Sequence, residues 1–422
     1  MRYDVSALAN STPTRTPLTA YQRRLFLFLS VATFFEGYDF LALAQILPNL
    51  RRDLGLSPNE GGALVGIINI GTIVAYLLVR KADRWGRRRV LTLTIAGYTI
   101  SSFLSGLMPN AIGFALCQLA ARTFLVGEWA VAMVYAAEEY PADRRGTVIG
   151  VIQACSSLGA ITCAGLVPLL LKSPLGWRSV YFVGSVPLIL VAVARRQLRE
   201  TARFEQRQQE LAAEPETSDP LRIVRSPYCR RMLLMALIWA LTYVCSNNAV
   251  LFWKEFAVGE RNLTDGQVGL SISIAAVAAM PFIFLCGRLL DVAGRRIGAV
   301  VIFLTTSIGV CGIYSLHSQL ALTGALLLAV FGTSSVLPLL NAYTVELFPT
   351  ELRSDAFAWS NNLLGRLGNV ITPFAVGYAA SRFGWGPTLS ITAIGPLAAL
   401  TLILLLLPET RGRELEDTAR MH

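Results

Sequence analysis

The chain has 422 residues, 54% of them hydrophobic and only 15% charged, with a mean hydropathy of +0.53. A soluble domain carries about 25% charged residues, so a soluble enzyme is excluded and a polytopic membrane protein is expected. The net charge of +10 and the pI near 9.5 are then loop charges obeying the positive-inside rule, not a nucleic-acid surface.

Twelve apolar spans are predicted, at 24–48, 60–79, 89–108, 111–137, 147–171, 178–195, 231–253, 267–287, 297–316, 319–345, 355–380 and 387–407. Each is close to the ~20 residues needed to cross hydrocarbon. Nothing resembles a secretory signal, because the first run is too long for one and no small-residue cleavage site follows. With the N-terminus inside, 28 of the 37 Lys and Arg fall in cytoplasmic segments, seven in external ones, and Arg122 and Arg366 within spans. The expected product is a multi-pass protein of the cell (inner) membrane with both termini cytoplasmic, in contact with the lipid bilayer. It divides at 1–195, a cytoplasmic linker at 196–230 and 231–422.

The first span holds FFEGYDFLALAQ, residues 34–45, with Glu36 and Asp39 in an apolar run. They lie about 18 and 22 Å along a helix that starts near Arg24, and the i,i+3 spacing puts both on one face. A charge at that depth costs about 2.5–3.5 kcal/mol, so intramembrane acids face a bundle interior and mark function. Two carboxylates in a low dielectric repel, and one of them readily holds a proton. The loop after the second span is ADRWGRRR, with Asp83, Arg84, Arg87 and Arg88. The fourth span carries Arg122 and, in GEW, Glu128, and it ends in EEYPADRRG with Glu138 and Arg145. Gln153 follows in the fifth. Six residues rotate Glu128 about 240° from Arg122, so the two are expected to face different points.

In the second half the seventh span holds Trp239, Tyr243, Asn247 and Asn248. Asp291 and Arg295 lie in LDVAGRRI, Tyr343 closes the tenth span, and Glu346 and Arg353 lie in ELFPTELRS. Trp359, Asn361 and Arg366 lie in the eleventh span, and PETRGRELE (408–416) follows the twelfth. The seven cysteines leave no pair in external loops, so no disulfide framework is expected. No metal-ligand spacing is present, His is limited to His317 and His422, and no phosphate-cradling GxxxxGK[ST] sequence occurs, so no metal or cofactor is expected.

The loops repeat at one offset. Asp83 and Asp291, Gly86 and Gly294, Glu138 and Glu346, Pro141 and Pro349, Arg145 and Arg353, and Trp177 and Trp385 are each 208 residues apart. The chain therefore reads as two homologous six-span halves related as parallel repeats. At that offset Gln153 answers Asn361 and Asn247 answers Asp39, so the second half keeps polarity where the first has an acid.

ADRWGRRR, its copy GRLLDVAGRR, ELFPTELR and PETRGRELE together resemble the major facilitator superfamily over nearly the whole chain. FEGYD is similar to the signature of aromatic-acid:proton symporters, and GEW with EEYPADRRG is similar to sialate-type and other metabolite:proton symporters. The resemblance implies an all-α transporter of two six-helix bundles working by alternating access, functional as a monomer. Its expected activity is symport of a small organic anion, an aromatic or other carboxylate, with protons as coupling ion. PETRGRELE is shared with sugar porters, so a sugar or polyol symporter stays open, as does a proton-driven drug or metabolite efflux antiporter. Asp39, Glu36 and Glu128 are the candidates for proton coupling. Arg122, Gln153, Trp239, Tyr243, Asn247, Asn248, Tyr343, Trp359, Asn361 and Arg366 are those for substrate. The resemblance implies that Asp83 helps latch the halves on the cytoplasmic side. Arg84, Arg87, Arg88, Glu138, Arg145, Asp291, Arg295, Glu346 and Arg353 are the further gating candidates.

Overall fold

The computed structural model describes residues 18–185, 199 and 222–411, and the side chains of Asp83, Arg84, Arg87 and Arg145 lie outside the described residues. So do most of the 196–230 linker and the second part of the sixth span. Every described element is helical. In chain order they are α1 (Ala20–Asp53), α2 (Pro58–Trp85), α3 (Arg87–Leu107), α4 (Ala111–Glu139), α5 (Ala142–Leu170) and α6 (Arg178–Gly184). The second half supplies α7 (Cys229–Leu251), α8 (Trp253–Gly259), α9 (Asp265–Ala293), α10 (Arg295–Ser315) and α11 (Gln319–Glu346). The chain then continues through α12 (Thr350–Phe357), a π-helical stretch (Ala358–Gly365), α13 (Arg366–Phe383), α14 (Trp385–Ile391) and α15 (Ile394–Leu406).

Among the described residues ten helices are long and apolar enough to cross a membrane. The predicted sixth span is represented by α6, and the eleventh crosses as α12, the π-helical stretch and α13. A π-helical turn inside a membrane helix is uncommon and clusters at functional sites. Here it covers Ala358–Gly365, contains Trp359 and leads into Arg366, where sequence periodicity gave no break.

The repeat is visible in the local structure. Asn110 and Ser318 cap α4 and α11 with their side chains, each accepting from the backbone N–H three residues on. Gly86 and Gly294 both take φ +94° and each joins two long helices in a single residue. Only glycine reaches that conformation cheaply. Both cap pairs keep the 208-residue offset. Pairing repeats as well: α1 packs on α5 and α3 on α4 in the first half, while α7 packs on the π stretch and α13, and α10 on α11, in the second. Across the halves, α2 lies against α13 and α5 against α9.

Both described chain ends lie on one face, here the terminal face; the other is the far face. Two apolar cores sit toward the terminal face, one built from residues 18–152 and the other from residues 223–407. The third core is shared: Tyr38, Leu47 and Val167 of the first half meet Phe252, Trp253 and Val376 of the second. The halves are thus joined at the far face and keep separate cores at the terminal face.

PETRGRELE has a structural task at the terminal face. Glu409 accepts from the backbone N–H of Arg295 at 2.8 Å and of Arg296 at 2.9 Å, so it caps the N-terminus of α10. A carboxylate there satisfies orphan donors and complements the helix dipole. Arg295 is also paired with Glu346 at 2.7 Å, with Asp291 at 3.7 Å, and Thr410 donates to Glu346 at 2.5 Å. Arg353 donates to the carbonyl of Phe348. Partial burial acts to raise the Glu409 carboxyl, but backbone donation from Arg296, Arg295, Arg411 and Thr410 outweighs it and holds the group below the usual carboxylate range. A depressed folded value means that the cap stabilises fully above the ordinary Glu range and weakens as pH falls through it. Glu409→Ala is expected to cost about 1 kcal/mol, as other lost caps do. Thermal unfolding of the purified protein should show that deficit at neutral pH and a smaller one below pH ~4. An equal deficit at both would contradict the cap.

Candidate transport site

The first half gathers its ionisable groups inside the bundle. Asp39 on α1 accepts from Ser102 Oγ of α3 at 3.2 Å. Glu36, one turn earlier, is buried beside it and feels the charges of Glu128 and Arg122. Glu128 on α4 is 0% exposed, and neither of its oxygens has a hydrogen-bond partner among the described residues. Arg122 sits with its guanidinium 5.0 Å from the centroid of the Phe40 ring, close enough for Asp39 and Glu36 to act on its charge. An Arg packed on a ring is held in place without losing its hydrogen-bonding fork. Gln153 interacts within its own half, accepting from Trp129 at 3.5 Å and approaching Met133 Sδ at 3.3 Å.

The second half presents a stacked series. Trp239, Tyr243 and Asn247 recur every four residues on α7, hence on one face. The Trp239 and Tyr243 rings stack with centroids 5.5 Å apart. Tyr243 donates to Asn361 Oδ1 at 2.8 Å, and the Arg366 guanidinium lies 5.3 Å from the Tyr243 ring centroid. The π-helical stretch carries Asn361 and delivers Arg366 just beyond its end. Asn248 turns back on its own helix, donating to the carbonyl of Val244 at 3.0 Å. Tyr343 is buried in the core of the second half, near Glu409 and Glu346, and Trp359 packs against that same core. At the terminal face Arg88 is exposed and Glu138 half-buried.

The charges of Arg122 and Arg366 reach each other. One guanidinium thus comes from each half, an arrangement that suits an anion held between the halves.

The far face is fastened by residues absent from the sequence-based candidates. Arg51 at the end of α1 pairs with Glu255 of α8 at 2.6 Å, and its guanidinium lies 5.6 Å from the Trp385 ring centroid. Lys254, 1% exposed, donates to the backbone carbonyl of Gln45 at 2.5 Å and pairs with Asp265 at 2.6 Å. Gly62 and Gly377 pack back to back, so a Cβ built on Gly62 would fall 2.6 Å from the Gly377 Cα. Ser102, Asn69 and Asn369 are the other polar groups that sequence reasoning passed over. Asn369 had a usable signal, since it follows Arg366 by three residues and so shares its face.

The far-face lock makes a prediction. Hydrogen bonds to a charged group contribute about 1.5–3 kcal/mol, so Lys254→Met should open the far face measurably more often. Cys163, buried in the shared core, is the reporter in a variant with the other cysteines replaced by serine. Its alkylation by an impermeant maleimide applied at the far face should rise several-fold. Unchanged labelling would contradict the lock.

A two-fold repeated helical bundle, joined at one face and carrying buried charges at its centre, is the architecture of a membrane transporter. A family model described as Major Facilitator Superfamily matches residues 29–256 and 235–421. The chain belongs to the major facilitator superfamily and is a multi-pass membrane transporter, not an enzyme. It is 27% identical over 394 residues to a putative metabolite transport protein of Haemophilus influenzae, covering 90% of this chain and 95% of the relative. It is 25% identical to a probable 4-methylmuconolactone transporter of Cupriavidus pinatubonensis, covering 90% of this chain and 89% of that one. Among solved structures it resembles a D-xylose-proton symporter with TM-score 0.76 and 18% identity, covering 93% of this chain and 100% of that one. At that identity the likeness concerns the fold alone.

Proposed function

We propose that the protein is a secondary transporter that carries a small organic anion, an aromatic or other carboxylate, together with a proton across the inner membrane. The observation that carries this reading is the placement of Arg122 and Arg366, one on each half, close enough for their charges to interact, with Asp39 and Glu36 buried beside the former. The distribution of Lys and Arg favours a cytoplasmic terminal face.

The mechanism follows from charge balance. An ionised Asp39 offsets Arg122. A proton on Asp39 leaves Arg122 uncompensated in a low dielectric, an expensive state. A substrate carboxylate then restores the balance, bridging towards Arg366 on the other half. Proton and anion therefore bind together and add no net charge, so the loaded site costs no more to move past apolar surroundings than the empty one. Reorientation breaks Arg51–Glu255 and Lys254–Gln45 at the far face and closes the terminal face over the site. Names of relatives such as the 4-methylmuconolactone transporter support an organic substrate.

The test is uptake into proteoliposomes under an imposed pH gradient, with a panel of radiolabelled carboxylates and sugars. Gradient-dependent accumulation of a carboxylate that other carboxylates, and not sugars, compete away supports the reading. Accumulation of a sugar unaffected by carboxylates would sink it.

A further inference from the structure

Three amide side chains meet where the halves touch near the middle of the membrane. Asn69 of α2 donates through Nδ2 to the backbone carbonyl of Asn369 on α13 at 3.1 Å and to its Oδ1 at 3.4 Å. Asn247 of α7 donates to the same Oδ1 at 2.8 Å. Asn69 is 8% exposed and Asn369 2%. Asn247 and Asn369 belong to the same half, so Asn69 alone carries the bond across the halves.

Position gives the group its meaning. Asn369 lies one turn beyond Arg366 toward the far face, and Asn247 one turn beyond Tyr243. Farther out, the Gly62–Gly377 contact closes the same helix pair. The amides therefore roof the Arg366–Tyr243–Asn361 cluster and lie directly beneath the closed face. Opening that face parts α2 from α13 and must break the Asn69 bonds. Nothing apolar can replace them, and a buried amide left unpaired is penalised heavily.

We propose that Asn69 and Asn369 recognise a hydrogen-bonding group on the substrate, at the end away from the carboxylate held by Arg366. This rests on the carboxylate reading above. The group replaces the bond between the two amides as the halves part. The substrate class is then a ring carboxylate that carries a hydroxyl, carbonyl or ring nitrogen at the end of the ring away from its carboxylate. A plain ring carboxylate binds but leaves the amides unpaired during reorientation. Asn69 is thus a specificity-determining residue, and it also slows reorientation of the empty carrier.

The experiment uses the full chain in proteoliposomes, with benzoate and 4-hydroxybenzoate as probes in counterflow and in pH-driven uptake. Wild type should prefer 4-hydroxybenzoate roughly tenfold in kcat/KM, the equivalent of one buried polar group left unpaired. Asn69→Ala should bring that ratio to within about twofold, chiefly by raising kcat for benzoate, and Asn369→Ala should act likewise. Asn69→Leu, which keeps the size but has neither donor nor acceptor, serves if the alanine variant fails to assemble, and should also lose the preference. A wild-type ratio near one overturns the proposal while leaving carboxylate transport intact. So does an unchanged ratio in the Asn69 variants. If wild type carries neither probe nor any other carboxylate, the carboxylate reading falls and this one with it.

Discussion

Asp39→Asn is expected to abolish accumulation of substrate driven by a pH gradient while sparing exchange of substrate across the membrane. One pH unit corresponds to 1.36 kcal/mol, so a one-proton symporter carrying a monoanion sustains up to about tenfold accumulation on it. The variant should sustain none, because an asparagine cannot hand a proton on. Asparagine keeps the size of the side chain and its acceptor for Ser102 Oγ, so the packing around α1 and α3 survives. Exchange requires binding and reorientation but no net proton release, and it should continue. Glu36→Gln should be milder if Asp39 is the main site and comparable if the two carboxyls share one proton. Paired measurements of counterflow and driven uptake in one vesicle preparation check this. Undiminished accumulation by Asp39→Asn would make both acids structural.

Arg366→Lys is expected to weaken carboxylate binding by roughly 10- to 100-fold, about 1.5–3 kcal/mol for a lost charge-assisted bond. The lysine ammonium is a point charge and cannot reproduce the planar fork that meets a carboxylate in two places. It also loses part of the stacking on Tyr243, whose ring lies 5.3 Å from the guanidinium. The comparison that isolates the charge contact is between a carboxylate and its uncharged amide. Calorimetry on purified protein should show a loss confined to the carboxylate, with the amide bound equally weakly by both proteins. Equal losses for the two ligands would show that Arg366 only supports packing.

The arrangement explains why some parts of this molecule could be read from its sequence and others could not. Long apolar runs and loop charges specify spans directly, and the 208-residue offset paired Gly86 with Gly294, which the structure shows to be matched breaks between helices. The π-helical stretch was hidden, because AWSNNLLG carries no proline and its single glycine, Gly365, stands at its end; the stretch packs against α7. Intramembrane charges announce themselves by their cost, so Asp39, Glu36, Glu128, Arg122 and Arg366 stood out. The structure brings Asp39, Glu36 and Arg122 together, and it sets Tyr243 and Asn361 beside Arg366. Ser102 and Asn69 carried no such signal, since hydroxyls and amides are common in spans and their partners come from helices unrelated by the repeat; Asn369 could be found only by its spacing from Arg366. Arg51, Lys254 and Glu255 lie at span ends, where charges read as ordinary loop residues until a partner across the halves is visible. Asp83, Arg84, Arg87 and Arg145 remain proposals of the family resemblance.

Proton entry in step with substrate is the most direct measurement of the central claim. Proteoliposomes loaded with a pH-sensitive dye, with protein-free liposomes subtracted, should show the lumen acidify when a transported carboxylate is added outside. The acidification should follow the time course of radiolabelled uptake and disappear in Asp39→Asn. Carboxylate uptake at the full wild-type rate with no accompanying proton entry would contradict the account.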